Sequence, residues 1–335
     1  MYTANAILSN YCDQYALQGL NEKPHLMTRG RILVPVSFID QSDAALTFAR
    51  DMAALSNDMI SCILILDEKA ANHGQSGKME SKHKGRLEAE LMLSQKVNSI
   101  LKVKPQVGFE IMVSSGDFCE KVLEKASDLN VRFIVMGKPD RERKYAGIPR
   151  NCSREVILKA QVPVIFVSSL KSIQRMNIIL SLDLIRPSRT QINCAIETAL
   201  KLKARVVAIG VFGREFMELT PLLNRRLKDI EVLLDDANIP CETHLLMTNG
   251  SVPDEVISFS DADDSSVILL LTKHEMDHHS LSIRSEEKEI IARANAPVIC
   301  FNPKSADAWS TENPSIINKT NPLAWFLLKD RFINY

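Results

Sequence analysis

The segment from His274 to His278 reads His-Glu-Met-Asp-His, which satisfies the H-E-x-x-H pattern. In zinc hydrolases this pattern places two imidazoles one helical turn apart, with the glutamate as the general base. Here the segment begins two residues after Thr272, where a buried strand is predicted to end, so it lies in a predicted loop. The spacing has no meaning without a helix. We therefore expect a chance match, no metal site and no catalytic residues, with a metal-dependent hydrolase as a distant alternative.

Other patterns that would indicate an enzyme are missing from the sequence. There is no G-x-S-x-G elbow, no G-K-[ST] phosphate loop and no G-x-G-x-x-G dinucleotide fingerprint. Some α/β enzymes that adenylate their substrates carry an S-G-G-x-D-S type of loop after the first strand. The segments 37–42 and 183–188 follow predicted strands but contain no glycine. His244 lies within a predicted strand and is expected to be a structural histidine. We therefore predict that the protein is not an enzyme.

A loop of high charge density is predicted between the fourth strand and the next helix of the first half. Its acidic residues are Asp140 and Glu142, and its cations are Lys138, Arg141, Arg143, Lys144, Arg150 and Arg154. Cations near the start of a helix would suit an anion. Exposed loops also commonly carry such charge without a function, and we favour that interpretation. The partner stays open between a small anionic ligand and another protein.

The overall composition excludes several classes of partner. The 335 residues include 41 basic and 41 acidic side chains, so no net charge draws the protein to nucleic acid or to an anionic membrane. The first 20 residues contain no Lys or Arg, and no apolar run approaches the ~18 residues of a membrane-spanning helix. The seven cysteines form no C-x-x-C pair. We expect reduced thiols in a cytoplasmic protein.

The elements that must position these residues occur twice. Gly116 and Gly250, each between a predicted strand and a predicted helix, are 134 residues apart, and so are Pro163 and Pro297. Such a constant offset indicates two copies of one α/β unit. We predict an N-terminal extension, two domains and a C-terminal tail, at residues 1–30, 31–169, 177–302 and 303–335.

Each copy alternates short apolar strands with helices, which predicts right-handed crossovers and a doubly wound parallel sheet. The predicted strands are 32–36, 59–66, 106–113, 131–136 and 163–167 in the first copy, and 177–182, 205–211, 241–247, 266–271 and 297–301 in the second. The predicted helices are one capped by Ser42, then 78–101, 117–129, 151–160, 188–202, 216–238, 252–261 and 284–295. Ligands of such sheets bind beyond the carboxyl ends of the strands. Any site should therefore lie in the loops after the first and fourth strands.

In this arrangement the sequence resembles the universal stress protein family in its tandem two-domain form. The resemblance rests on segments 32–36, 115–117, 134–137 and 160–167 of the first copy and on 178–183, 249–253 and 294–300 of the second. It implies two five-stranded sheets of strand order 3-2-1-4-5, with the fifth strands paired in an internal pseudo-dimer. It also implies a non-enzymatic, stress-response binding or regulatory protein.

Nucleotide-binding members of that family carry G-x2-G-x9-G-[S/T] in the loop after the fourth strand. Its glycines let backbone N–H groups approach phosphates, and its last pair opens a helix whose N-terminus favours anions. In the first copy only Gly137 matches, because the other positions hold Asp140, Arg150 and Asn151. The family's aspartate at the end of the first strand is replaced by Ser37. These changes oppose the family's usual mode of binding ATP.

The second copy departs from the family's motif differently. Asp183 matches the strand-end aspartate, but Thr272 replaces the first glycine and Glu275 or its neighbour the second. Arg284 and Ser285 stand at the final Gly-Ser position. Neither copy holds a complete phosphate cradle, and no cofactor is expected. The resemblance leaves one alternative, an ATP- or AMP-binding sensor, whose residues would be Asp183, Thr272, Arg284 and Ser285, with Gly137 and Arg150 in the first copy.

The C-terminal tail is the last unusual part of the sequence. It contains both tryptophans, Trp309 and Trp325, among several other large apolar residues. This density is too high for a disordered linker. We expect the tail to pack on its own domains, where it would cover a sheet edge or a groove between helices. The alternative is a docking segment for another chain, which would make a homodimer or a larger complex.

Overall fold

The computed structural model describes residues 30–37, 40–66, 79–102, 106–138, 152–169, 174–185, 187–272 and 283–311. The predictions for the N-terminal extension, for Asp140, Arg150 and Asn151, for the H-E-x-x-H segment and for the tail beyond Thr311 lie outside these residues. The described residues from Arg31 on form one compact unit. The division of this unit into two domains stays a prediction.

The described strands form one ten-stranded sheet of order β3-β2-β1-β4-β5-β10-β9-β6-β7-β8. Each half has the predicted order 3-2-1-4-5, with parallel pairs, so the predicted fold class is confirmed. Helices cover both faces, which explains why most strands are apolar throughout rather than alternating. The strands are β1 (Arg31–Val36), β2 (Met59–Leu66), β3 (Phe109–Ser115), β4 (Phe133–Gly137), β5 (Val164–Val167), β6 (Asn177–Leu182), β7 (Arg205–Gly213), β8 (Cys241–Thr248), β9 (Ser266–Leu271) and β10 (Val298–Phe301).

The two halves meet where β5 and β10 pair antiparallel, with Ile165 opposite Ile299. This pairing confirms the internal pseudo-dimer and joins the two five-stranded halves into one continuous sheet. All other strand pairs are parallel, so the first five strands end at one edge of the sheet and the last five at the opposite edge. The strand-end loops of the two halves therefore form two separate sites.

Nine described α-helices pack on the two faces of this sheet. One face carries α1, α2, α5, α6 and α9, and the other carries α3, α4, α7 and α8. Each face has a core that runs across both halves. The helices are α1 (Asp40–Ser56), α2 (Met79–Leu101), α3 (Phe118–Asp128), α4 (Cys152–Lys159), α5 (Arg189–Leu202), α6 (Thr220–Asp236), α7 (Val252–Asp261), α8 (Ser285–Arg293) and α9 (Pro303–Thr311).

Three of the described helices begin after a residue whose side chain caps them, and one predicted helix is interrupted. Asp117, Ser188 and Ser251 each accept a hydrogen bond from a backbone N–H in the first turn of the helix that follows. The helix predicted at 216–238 is divided, because a 3-10 turn occupies Arg214–Leu219 before α6 begins. Pro221 then stands in the first turn of α6, where its missing N–H has no cost.

Side chains from each half cap helices of the other half. Asn302 Nδ2 donates to the carbonyls of Ile157 and Ala160 at the end of α4, at 2.6 and 2.7 Å. In the opposite direction, Lys138 Nζ donates to the carbonyl of Ala294 at the end of α8. These bonds satisfy carbonyls that a helix end leaves without partners. They hold the two halves in register independently of the β5–β10 pair.

Two of the seven cysteines are close neighbours. Cys119 and Cys152 have Cα atoms 5.5 Å apart, a spacing that permits a disulfide. Both lie in the first turns of α3 and α4, two helices that pack together although 33 residues separate the cysteines in the chain. The free cysteines of the described residues are Cys62, Cys194, Cys241 and Cys300.

Among the described residues, no helix is long and apolar enough to cross a membrane.

Candidate functional site

The first half places two serines at the carboxyl end of β1. The hydroxyl of Ser42 accepts a hydrogen bond from the backbone N–H of Ser37 at 2.7 Å, and the two hydroxyl oxygens are 2.8 Å apart. Both residues are buried. The prediction that Ser42 caps the helix is wrong, because α1 begins at Asp40 and Ser42 lies within its first turn. Ser42 instead holds the end of the strand against the helix.

Gly137 is the last residue of β4 and pairs with Val167 of β5. The next residue, Lys138, donates its backbone N–H to the Val167 carbonyl and its ammonium to Ala294 of the second half. Burial lowers the pKa of Lys138 to about 8, against a smaller opposing effect of Asp261. This cation of the predicted charged loop therefore points into the junction between the halves. Arg150 lies outside the described residues.

The strand register identifies the position in the second half that corresponds to Gly137. Leu271 pairs with Phe301 as Gly137 pairs with Val167, and both pairs are related by the offset of 134 residues. Leu271, rather than Thr272, thus occupies the position of the family's first glycine. Thr272 is fully buried, and its hydroxyl donates to the Phe301 carbonyl at 2.9 Å.

Leu180 of β6 pairs with Leu269 of the neighbouring strand β9. Asp183 lies three residues after Leu180 and Thr272 three residues after Leu269, so the two residues stand side by side at the ends of these strands. Asp183 is exposed, and its carboxylate accepts a hydrogen bond from the backbone N–H of Ile185 at 2.8 Å. The side chain therefore closes the turn that follows β6. The structure therefore brings both predicted residues to the carboxyl edge of the second half. The Thr272 side chain is directed into the core, whereas the Asp183 side chain binds the backbone of its own turn.

Arg226 of α6 is a residue that the sequence analysis did not identify. Its guanidinium is buried and donates from Nη1 to the carbonyls of Leu184 and Ile185, which follow β6. Burial lowers the pKa of Arg226, while Asp183 opposes this shift. The signal in the sequence was an arginine flanked by the buried apolar residues Leu223 and Leu227 of the same helix.

Leu184 fills the space beside this turn. It is buried and lies against Gly210 of β7, where an added Cβ would be only 2.8 Å from Leu184 Cγ. The absence of a side chain at Gly210 is therefore what admits Leu184. Together, Leu184 and Arg226 place the chain's own atoms at the carboxyl ends of β6 and β7.

The predicted residues Arg284 and Ser285 open α8. Arg284 is its N-cap residue, without a side-chain capping bond, and Glu286 and Glu287 occupy the first turn. Burial raises the pKa of Glu287 to about 7, and the nearby Arg284 partly offsets this rise. Carboxylates stabilise a helix N-terminus but also repel a second anion there. The start of α8 is therefore less favourable to phosphate than the family's Gly-Ser.

The histidine in the predicted strand has partners of its own. His244 Nε2 lies 2.7 Å from Glu242 Oε1, and the ring centroid lies 5.1 Å from that of Phe259. The prediction of a structural histidine is confirmed. The described residues contain no group of three or more His, Cys, Asp and Glu side chains suited to a metal ion.

Known proteins share this fold. A model of the Universal stress protein family matches residues 28–168. A universal stress protein from Archaeoglobus fulgidus DSM 4304 is 13% identical, with a TM-score of 0.60, and the match covers 81% of this chain and 98% of that chain. A functionally unknown protein from Pseudomonas aeruginosa PAO1 is 12% identical, with a TM-score of 0.56 and coverage of 87% and 98%. At these identities, the two structures show similarity of fold alone.

A third solved structure is a universal stress protein from Archaeoglobus fulgidus in complex with dAMP. It is 22% identical, with a TM-score of 0.32, and the match covers 37% of this chain and 96% of that chain. No curated protein is significantly similar to the chain. We conclude that residues 28–168 match the model of the universal stress protein family, and that the second half of the chain repeats the fold of this segment.

Proposed function

We propose that this protein is a non-enzymatic, stress-related binding or regulatory protein of the universal stress type. One observation carries the proposal: polar side chains at both carboxyl edges bond to the chain's own backbone. Ser42 accepts from Ser37, Thr272 donates to Phe301, and Arg226 donates to the turn after β6. A group held in this way must break a buried hydrogen bond before it acts as a nucleophile, a base or a phosphate ligand.

Electrostatics at the start of α8 support the same proposal. A polyphosphate placed there would approach Glu286 and Glu287 in the first turn, where the helix dipole is already compensated by carboxylates. The backbone alone cannot replace the missing cradle, because Leu271 carries a side chain at the position where the family has its first glycine. We therefore propose that the family's usual mode of ATP binding is weak in the second half.

Native mass spectrometry of the freshly purified full chain tests this proposal. We expect the mass of the polypeptide alone, with no retained ATP or AMP, and the same spectrum reports the number of subunits. Thr272→Val serves as a matched control, because it removes the hydroxyl and keeps the volume. This variant should lower the free energy of unfolding but, like the wild type, should carry no retained ATP or AMP. A stoichiometric nucleotide in the native protein would contradict the proposal.

A second candidate, a nucleotide sensor, rests on Asp183. Its carboxylate is exposed at the end of β6, the position at which the family has its strand-end aspartate. If this function is correct, Asp183→Ala should abolish nucleotide binding, whereas Arg189→Ala at the nearby exposed helix start should not. Equal affinity in wild type and Asp183→Ala would exclude the sensor at this site.

We also propose a cytoplasmic location. Three free cysteines of the described residues, Cys62, Cys194 and Cys300, are buried and support it, because unpaired buried thiols persist most readily in a reducing compartment. The spacing of Cys119 and Cys152, which permits a disulfide, is the feature that argues against it. Counting thiols on protein alkylated inside intact cells tests the location, since a cytoplasmic protein should be found with Cys119 and Cys152 reduced.

A further inference from the structure

A cavity of about 280 Å³ lies at the edge of the sheet where the first half's strands begin. It is bounded by the last turns of α3 and α4, by the start of β4 and by Trp309 of α9. The strand-end loops of the first half lie at the opposite edge. None of the residues discussed for the two strand-end sites lines the cavity, so this inference does not depend on the proposed function.

The internal repeat shows what the second half has in the corresponding place. α3 begins at Phe118 and α7 at Val252, and β5 begins at Val164 and β10 at Val298, each 134 residues later. The same offset relates three cavity-lining residues to second-half positions: Ser127 to Asp261, Gln161 to Asn295 and Val162 to Ala296. The two halves can thus be compared residue by residue.

In the second half, a carboxylate occupies the position that corresponds to the cavity. Asp261 Oδ1 accepts from the backbone N–H groups of Asn295 and Ala296, both at 3.1 Å, and its Oδ2 accepts from Asn295 Nδ2 at 2.8 Å. One side chain at the end of α7 therefore satisfies two consecutive amides in the turn between α8 and β10.

In the first half, the carboxylate is missing. Ser127 is one atom shorter than aspartate and carries one oxygen instead of two. The described residues supply no acceptor to the backbone N–H groups of Gln161 and Val162, the counterparts of the amides that Asp261 binds. Gln161 is exposed and Val162 is half-buried, so both residues can be reached by an acceptor that enters from solvent. These two donors line the cavity and lack the partner that the second half provides.

The ring of Trp309 forms part of the cavity wall. Its indole N–H is buried, with no hydrogen-bond partner, and is not open to the cavity. Two cations, Arg132 and Lys159, also belong to the lining, paired with Asp58 and Glu155 respectively. Because both cations are already paired, the donors that the lining offers to an entering group are the backbone N–H groups of Gln161 and Val162. Such donors bind an ionised acceptor about twice as strongly as a neutral one.

We infer that this cavity binds a small monocarboxylate, whose carboxylate takes the place that the Asp261 side chain has in the second half. Its oxygens accept from the backbone N–H groups of Gln161 and Val162. The apolar part of the ligand lies against Leu123 and Val131. The volume is slightly below the usual range for drug-sized ligands, which limits the body to a few carbon atoms.

Titration of the full chain with hexanoate and benzoate tests this inference, with hexanamide and benzamide as neutral controls. Calorimetry and the fluorescence of the tryptophans report binding. We expect both acids to saturate a single site and both amides to bind at least about tenfold more weakly, as the loss of charge-assisted bonds implies. Equal binding of acids and amides, no binding of either acid, or tighter binding of inorganic phosphate would overturn the inference.

Two variants locate the site. Ser127→Asp reproduces the arrangement of the second half, so it should raise the melting temperature and weaken hexanoate at least about tenfold. Leu123→Ala removes an apolar contact of the ligand, and it should weaken the binding of hexanoate. Glu120→Gln, on the exposed start of α3, is the control that should bind as wild type. Wild-type affinity in both Ser127→Asp and Leu123→Ala would place the site elsewhere.

Discussion

Leu184 packs directly on Gly210, so that a methyl group on Gly210 would overlap Leu184 Cδ1 and lie 2.8 Å from Leu184 Cγ. This contact joins the turn after β6 to the neighbouring strand β7. Arg226 also stabilises this turn, because its guanidinium donates to the carbonyls of Leu184 and Ile185. The end of β6 is therefore held in one arrangement by packing on one side and by charge-assisted hydrogen bonds on the other.

The first prediction concerns this contact. Gly210→Ala should destabilise the protein by about 1–3 kcal/mol, because the added methyl group overpacks a filled space. In a Leu184→Ala background the same change should be nearly neutral, and a double-mutant cycle in urea measures this coupling. Gly250→Ala is the control, since its nearest neighbours lie at 3.7 and 3.8 Å from the added atom. Equal cost of Gly210→Ala in both backgrounds would contradict the contact.

The second prediction concerns the bond between the halves. Asn302→Ala should lower the free energy of unfolding by about 1–3 kcal/mol, because two buried carbonyls at the end of α4 lose their donor. Ser168→Ala, at the corresponding position of the first half, removes one exposed hydrogen bond. It should lower the free energy of unfolding by less than about 1 kcal/mol. Denaturation in urea gives both values. The prediction fails if the two variants are equally stable.

The third prediction concerns the start of the tail. Trp309 is buried, with ring centroids 4.8 Å from Phe133 and 5.9 Å from Phe301, and Lys201 Nζ lies 3.6 Å from its ring. Trp309→Ala should therefore cost about 3–5 kcal/mol. Thermal unfolding measures the loss, with Lys304→Ala on the exposed side of α9 as the control. An unchanged melting temperature, combined with a dimeric mass for the full chain, would indicate that the tail acts on another copy.

The fourth prediction concerns pH. The pKa of Glu287 is raised by burial from 4.5 to about 7, so between these values the folded state binds more protons than the unfolded state. The free energy of unfolding should then fall as the pH rises from about 4.5 to about 7, by up to about 3 kcal/mol from this residue. Glu287→Gln should remove that slope, and the exposed Glu286→Gln should keep it. Identical slopes in wild type and Glu287→Gln would contradict the burial of this carboxyl.

Much of the fold could be predicted from the sequence because the chain repeats itself. The offset between Pro163 and Pro297 located both fifth strands, and apolar runs located the others. Three elements of the second half, β6, β9 and α7, have the predicted bounds. The strand order followed from the family resemblance, which the structure confirms.

The contacts at the sites could not be predicted in the same way, because they join residues that are distant in the chain. Arg226 reaches its carbonyl partners 41 and 42 residues earlier, and Asn302 reaches across 142 and 145 residues. Comparing the two copies would have identified one feature, the change from Asp261 to Ser127. Position alone did not show that Asp261 binds the turn before β10.

Calorimetric titration of the full chain with ATP tests the central proposal most directly. We expect a dissociation constant above ~1 mM, which corresponds to a binding free energy no more favourable than about −4 kcal/mol. This follows because the strand-end side chains of both halves bond to the chain's own backbone. A micromolar constant that Asp183→Ala abolishes would contradict the proposal and establish the second half as a nucleotide sensor.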